Sequence, residues 1–217
     1  MIRTRALLTS ALLIFLIGII PATACMHKRE GMQQQPDAAI TINQGDQKLR
    51  LSIPNAEWEP MFFKSLETYT KKINLPNLRT VVLPNKDDLE VRFWTDALPS
   101  KLDGIILRRI NNQWSAVGIH VTGERKEALP TQKKLAVPKS GWDKAWEKLV
   151  GAGILTLPDA SEVNCNVTTI DGLGFVAEIN FNWSYRTYAY GNPQLAECNE
   201  AKRIISIRQI IFDEFAL

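Results

Sequence analysis

Apolar residues recur at helical spacing in three stretches of the chain and alternate at strand spacing in several others. Trp58, Phe62, Leu66, Tyr69 and Ile73 fall at steps of four, four, three and four, which lines one face of a helix over Ala56–Ile73. Pro60 fits its first turn, and Pro76 follows its end. Trp142, Ala145, Trp146, Leu149 and Val150 predict a second helix, opened by Ser140 with Asp143 three residues on and stopped by Gly151 and Gly153. A third helix is expected over Glu197–Phe215. Its apolar face comprises Ala201, Ile204, Ile205, Ile211, Phe212 and Phe215, and Arg208 falls within it. That arginine either snorkels past the edge of the face or is buried against an acid.

Strand signals fill the intervals. Leu89–Thr95 alternates with period two, and Leu78–Leu83 reads as a shorter strand. Gly104–Ile110 and Gln113–Val121 flank Asn111-Asn112, a pair that tolerates the positive φ of a two-residue hairpin turn. That turn fixes a register in which Arg109 faces Trp114 and Asp103 faces His120. Val163–Thr169, Phe175–Phe181 and Tyr185–Tyr190 predict a three-stranded meander, turning at Asp171-Gly172 and at Asn182-Trp183-Ser184. Strands joined by short turns point to an antiparallel sheet packed with about three helices, an α+β fold in a single domain over 46–217. The basic, Pro-marked stretch Arg125–Pro138 reads as a loop.

In the meander, Phe175, Ala177, Ile179 and Phe181 are expected to face the core, which turns Val176, Glu178 and Asn180 outward. A three-residue turn then sets Arg186, Tyr188 and Tyr190 on the same outer face. Glu178, Asn180, Arg186, Tyr188 and Tyr190 would thus form a binding platform for an envelope protein or glycan. The competing reading is ordinary cross-strand pairing.

The start of the chain has a different character. Arg3 and Arg5 precede the apolar run Leu7–Ile20, which falls short of the roughly 20 residues of a spanning helix and suits a secretory signal. Ala22-Thr23-Ala24-Cys25 resembles the lipobox of bacterial lipoproteins, although Ala22 stands where leucine is usual. The resemblance covers the first 25 residues only. It implies removal of residues 1–24 and lipid on Cys25, while the same Ala-x-Ala also suits ordinary signal peptidase, which would leave Cys25 a free thiol; the polar, aperiodic stretch 25–45 reads as a tether. Met26 after the cysteine is not the aspartate that retains such proteins at the inner membrane, which implies the outer membrane facing the periplasm. The chain has three cysteines. If Cys25 carries lipid, Cys165 and Cys198 remain as a pair in an oxidising compartment, where a bridge is expected. The stretch Tyr185–Pro193 resembles a sequence found in uncharacterised bacterial envelope proteins, and that resemblance brings no activity with it.

Composition narrows the function further. Of 217 residues, 45% are hydrophobic and 23% charged, which is globular rather than disordered. Loss of the signal takes Arg3 and Arg5 and no acid, so the mature chain is near neutrality and shows no electrostatic footprint for nucleic acid. No Cys/His spacing suits zinc, no glycine loop suits a phosphate, and no cofactor is implied. Asp103 and His120 form a His–carboxylate pair, but Ser115 faces away from His120 by strand alternation, and no nucleophile elbow is present. Asp87-Asp88 and Asp213-Glu214 read as solvated acids at element ends, with nothing to set two different pKa values. The expectation is therefore a non-catalytic binding or accessory protein of the cell envelope. The alternative is a hydrolase of cell-wall or polysaccharide material using His120 and Asp103.

Overall fold

The structure is a computed structural model, and it describes residues 40–44, 47–98, 101–123, 127–165 and 174–217. The strands are β1 (Ile40–Gln44), β2 (Gln47–Ser52), β3 (Leu89–Leu98), β4 (Lys101–Ile110), β5 (Gln113–Thr122), β6 (Leu129–Lys134), β7 (Gly174–Phe181) and β8 (Ser184–Gly191). The helices are α1 (Trp58–Thr70), α2 (Trp142–Ala152) and α3 (Asn199–Phe215). The class is α+β, as the pattern predicts. All strands join one eight-stranded sheet in the order β1-β2-β8-β7-β3-β4-β5-β6.

The sheet is mixed rather than purely antiparallel. The pairing of β2 with β8 is parallel, through Arg50↔Ser184, Leu51↔Tyr185 and Ser52↔Arg186. No hairpin joins these two strands, so nothing obliges them to run in opposite directions. The strands missing from the sequence reading are edge or near-edge elements with weak apolar signals. β1 occupies the end of the segment read as a tether, and β6 lies within the segment read as a basic loop. Pro130 is tolerated in β6 because an edge strand has one side free of ladder bonds, and Lys133 and Lys134 discourage further strand addition. β2 does alternate, with Leu49 and Leu51 buried between exposed Lys48 and Arg50.

Two faces of this sheet are covered. Val91, Phe93, Ile105, Leu107, Phe175, Ala177 and Ile179 pack with Leu149 of α2 and Ile204, Ile207 and Ile211 of α3. On the opposite face Trp94, Leu102, Ile106, Ile119 and Val176 pack with Leu66 and Tyr69 of α1. The α3 face is rotated from the expected one, with Ile207 fully buried and Ile205 37% exposed. Arg208 therefore lies at the margin of the buried stripe.

Other boundaries differ locally. α1 ends at Thr70, and Lys71–Ile73 continue it as a 3-10 turn. Leu78–Thr80 is a 3-10 turn rather than a strand. The N-cap of α2 is Gly141, because the Ser140 N–H and hydroxyl both donate to Glu214 on α3 at 2.9 Å. Gly153 ends the same helix in the left-handed region at φ 95°. The first strand of the expected meander is not seen where the chain is described: Val163-Asn164 form a turn, and 166–173 lie outside the described residues. The Cys165–Cys198 disulfide is present, with Cα atoms 5.5 Å apart. No helix among the described residues is long and apolar enough to cross a membrane.

Candidate functional site

The five residues expected to form an outward platform are divided between the two faces of the sheet. Asn182 and Trp183 form a two-residue turn at φ 54° and 52°, so Phe181 pairs with Ser184. This register sets Arg186, Tyr188 and Tyr190 opposite Ile179, Ala177 and Phe175, on the α2–α3 side. Glu178 and Asn180 point to the α1 side. One residue less in the turn exchanges the faces of a whole strand, which corrects the expected platform.

Each of the five is occupied inside the fold. Arg186 donates to the carbonyls of Leu155 and Leu157, Tyr188 to Ile154 O at 2.9 Å, and Tyr190 to Pro158 O at 2.8 Å. Asp159 returns the contact by accepting the Ala189 N–H at 2.8 Å. β8 therefore clamps the loop that follows α2. Burial pushes the hydroxyls of Tyr188 and Tyr190 well above the usual phenol range, which keeps both as donors.

On the α1 side, Glu178 is 1% exposed and accepts from Trp94 Nε1 at 2.8 Å and from the Tyr185 hydroxyl at 3.2 Å. Asn180 donates to Val81 O at 2.6 Å. Beside them, Glu90 accepts from Arg92 at 2.7 Å and from Arg108 at 2.8 Å. Burial raises the Glu178 carboxyl. The same desolvation acts on Glu90, but Arg92 and Arg108 outweigh it and hold that carboxyl below its ordinary value. These are interior pairings that specify packing.

The Asp103–His120 pair is assembled in the derived register, with Asp103 Oδ1 against His120 Nδ1. Cross-strand pairing extends it into a row: Thr95↔Asp103, Asp103↔His120 and His120↔Thr131. The row borders a cavity of about 370 Å³ whose apolar walls include Phe93, Ile105, Leu135, Ile211 and Phe212. Lys133 lines the same cavity. An apolar cleft with a few convergent polar groups is the usual form of a small-ligand site. Its polar row has no hydroxyl bonded to the imidazole among the described residues. Thr131 Oγ1 donates instead to the His120 backbone carbonyl at 3.2 Å, and Ser115 pairs with Arg108 on the opposite face. The sequence pointed to Asp103 and His120 but not to Thr131 or Lys133, because Pro130 masked the strand that carries them.

No protein family, curated protein or solved structure matches this chain. A second cavity of about 420 Å³ lies between α1 and the ends of β7 and β8. Its carboxylate, Asp159, is engaged by Ser161 and by the Ala189 N–H, which leaves the space mainly apolar. Cys165, Cys198 and Glu200 are close enough to suggest a metal, but the two sulfurs are bonded to each other and offer no thiolates. Cys25 lies outside the described residues.

Proposed function

We propose that this chain is an exported bacterial lipoprotein, anchored by lipid on Cys25 at the outer membrane and facing the periplasm. Its folded part binds a ligand in the cleft beside Asp103 and His120 without transforming it. The anchor reading rests on the short apolar run Leu7–Ile20 and on Ala22-Thr23-Ala24-Cys25. The Cys165–Cys198 bridge supports it, since such bridges persist in oxidising compartments. The binding reading is carried by one observation: the cleft joins apolar walls to a polar row in which the imidazole is held by Asp103 and, among the described residues, is bonded to no hydroxyl.

Intact mass of protein purified from bacterial membranes tests the anchor. The expected species lacks the first 24 residues, carries added acyl mass, and gains two hydrogens on reduction. An uncleaved signal or an unmodified Cys25 would overturn the lipoprotein reading. The assembled Asp103–His120 pair also keeps a hydrolase of cell-wall material as the second reading. Turnover of peptidoglycan fragments by the wild type, lost in His120→Ala, would establish it in place of simple binding.

A further inference from the structure

We infer that a single water molecule binds in a small interior site between Arg92 and Glu178 and joins two buried polar clusters into one network. Arg92 on β3 and Glu178 on β7 are cross-strand partners on the α1 side of the sheet, each 1% exposed. Two of the three guanidinium nitrogens are committed, Nε to Glu90 at 2.7 Å and Nη1 to Pro76 O at 2.9 Å. The third, Nη2, is buried and has no partner among the described residues. A buried donor of this kind in a native protein is nearly always bonded, to protein or to water. Arg92 and Glu178 both line a cavity of about 30 Å³ beneath α1. That volume exceeds the roughly 10–15 Å³ one water needs and is too small for a polyatomic ligand.

The lining supplies what a buried water requires, two to four polar partners. Nη2 donates to it. Each Glu178 oxygen accepts one bond, from Trp94 or from Tyr185, and keeps a second lone pair. Thr70, also in the lining, gives its hydroxyl hydrogen to Glu67 O at 3.4 Å, so its oxygen can accept. Glu67 at the rim is exposed and paired with Lys71 at 2.8 Å, which leaves no surplus charge there. A cation would lie against the Arg92 guanidinium, and an anion against Glu178 whenever that carboxyl is ionised. Water donates to the carboxylate or accepts from the acid, so it suits both protonation states. The direct bonds leave two separate clusters. Glu90 gathers Arg92 and Arg108 on one side. On the other, Glu178 holds Trp94 and Tyr185, and the Tyr185 hydroxyl accepts from Arg79, the partner of Glu59 on α1. The water closes the gap, and the network then runs from β4 across β3, β7 and β8 to α1.

The test is a high-resolution crystal structure of the full chain, purified in detergent and crystallised with sodium bromide in place of chloride. Diffraction is also recorded at the bromine absorption edge. The expected result is one compact density peak about 2.7–3.2 Å from both Arg92 Nη2 and a Glu178 oxygen, with no anomalous signal. An anomalous peak at that point would assign the site to a monatomic anion and overturn the proposal. So would density in reach of Arg92 but not of Glu178, since the two clusters would then stay separate. The absence of any peak, or Nη2 bonded directly to a protein oxygen, would show that no water is needed there.

Discussion

Glu90→Gln should be among the most damaging single changes in the molecule. The carboxylate is 5% exposed and accepts three bonds: from Arg92 Nε at 2.7 Å, from Arg108 Nε at 2.8 Å and from Arg108 Nη2 at 3.2 Å. Arg92 is the critical partner because it is only 1% exposed. Its remaining bond is to Pro76 O at 2.9 Å, and its Nη2 has no partner. Glu178 faces Arg92 in the β3–β7 register, but its two oxygens serve Trp94 and Tyr185 and burial favours its neutral form. An amide at position 90 thus takes from a buried guanidinium the carboxylate bonded to it and leaves only Glu178, whose oxygens are committed elsewhere. Breaking one partner of a buried pair costs about 3–5 kcal/mol. For a chain of this size that lowers Tm by roughly 6–20 °C. Removing both charges with Glu90→Met and Arg92→Met should cost less, since Arg108 is partly exposed and can turn to water. Urea unfolding of wild type, single and double variants under non-reducing conditions measures the three stabilities. A single-variant loss below about 1 kcal/mol, or a double variant no better than the single, would refute the reasoning. A pH series adds a sign. Because the folded-state Glu90 carboxyl lies below its ordinary 4.5, its contribution is present above that pH and lost as pH falls through the folded value. The acid limb of the stability profile should therefore flatten in Glu90→Gln. Glu178 acts in the opposite sense, since a raised carboxyl loses stability as pH climbs from its ordinary value through the folded one.

Tyr188→Phe strips the donor from the buried Ile154 carbonyl and should cost about 1–3 kcal/mol, read by the same unfolding assay. Reduction of Cys165–Cys198, separated by 33 positions, should lower stability by roughly 3–4 kcal/mol, seen as a Tm difference between oxidised and reduced protein. At Gly104 a Cβ would come within 2.3 Å of the Trp94 ring, which is held by its bond to Glu178 and cannot retreat. Gly104→Ala should accordingly destabilise by about 1–3 kcal/mol, accompanied by a changed tryptophan emission spectrum.

Legibility in the sequence followed the strength of local signals. α1, α2 and α3 were readable because each repeats apolar residues every three or four positions. The β4–β5 register was readable because Asn111 and Asn112 both accept positive φ, at 50° and 60°, and so define a two-residue turn. At the β7–β8 turn the second position is Trp183, a residue that rarely adopts φ 52°, and a three-residue turn looked equally natural. That single step misplaced Arg186, Tyr188 and Tyr190 by a whole face. The parallel pairing of β2 with β8 left no trace in the sequence, because it joins strands more than a hundred residues apart without a connecting turn. Of the cleft, Asp103 and His120 came from the hairpin register, whereas Thr131 and Lys133 lie on a strand that Pro130 masked.

The bonds from β8 to the loop after α2 have a consequence for how substitutions will be tolerated. Arg186, Tyr188 and Tyr190 all donate to main-chain carbonyls, and every amino acid supplies a carbonyl. Asp159, which accepts the Ala189 N–H, is the loop side chain these bonds use, and the others are not what the clamp recognises. Leu155 and Thr156, which are not buried, can be exchanged without loss of a single clamp bond, whereas Ile154 and Leu157 remain constrained by their own burial. Saturation mutagenesis should find the exposed loop positions permissive and the three donors on the strand intolerant. The path of the chain out of α2 is specified mainly by a segment more than two dozen residues downstream.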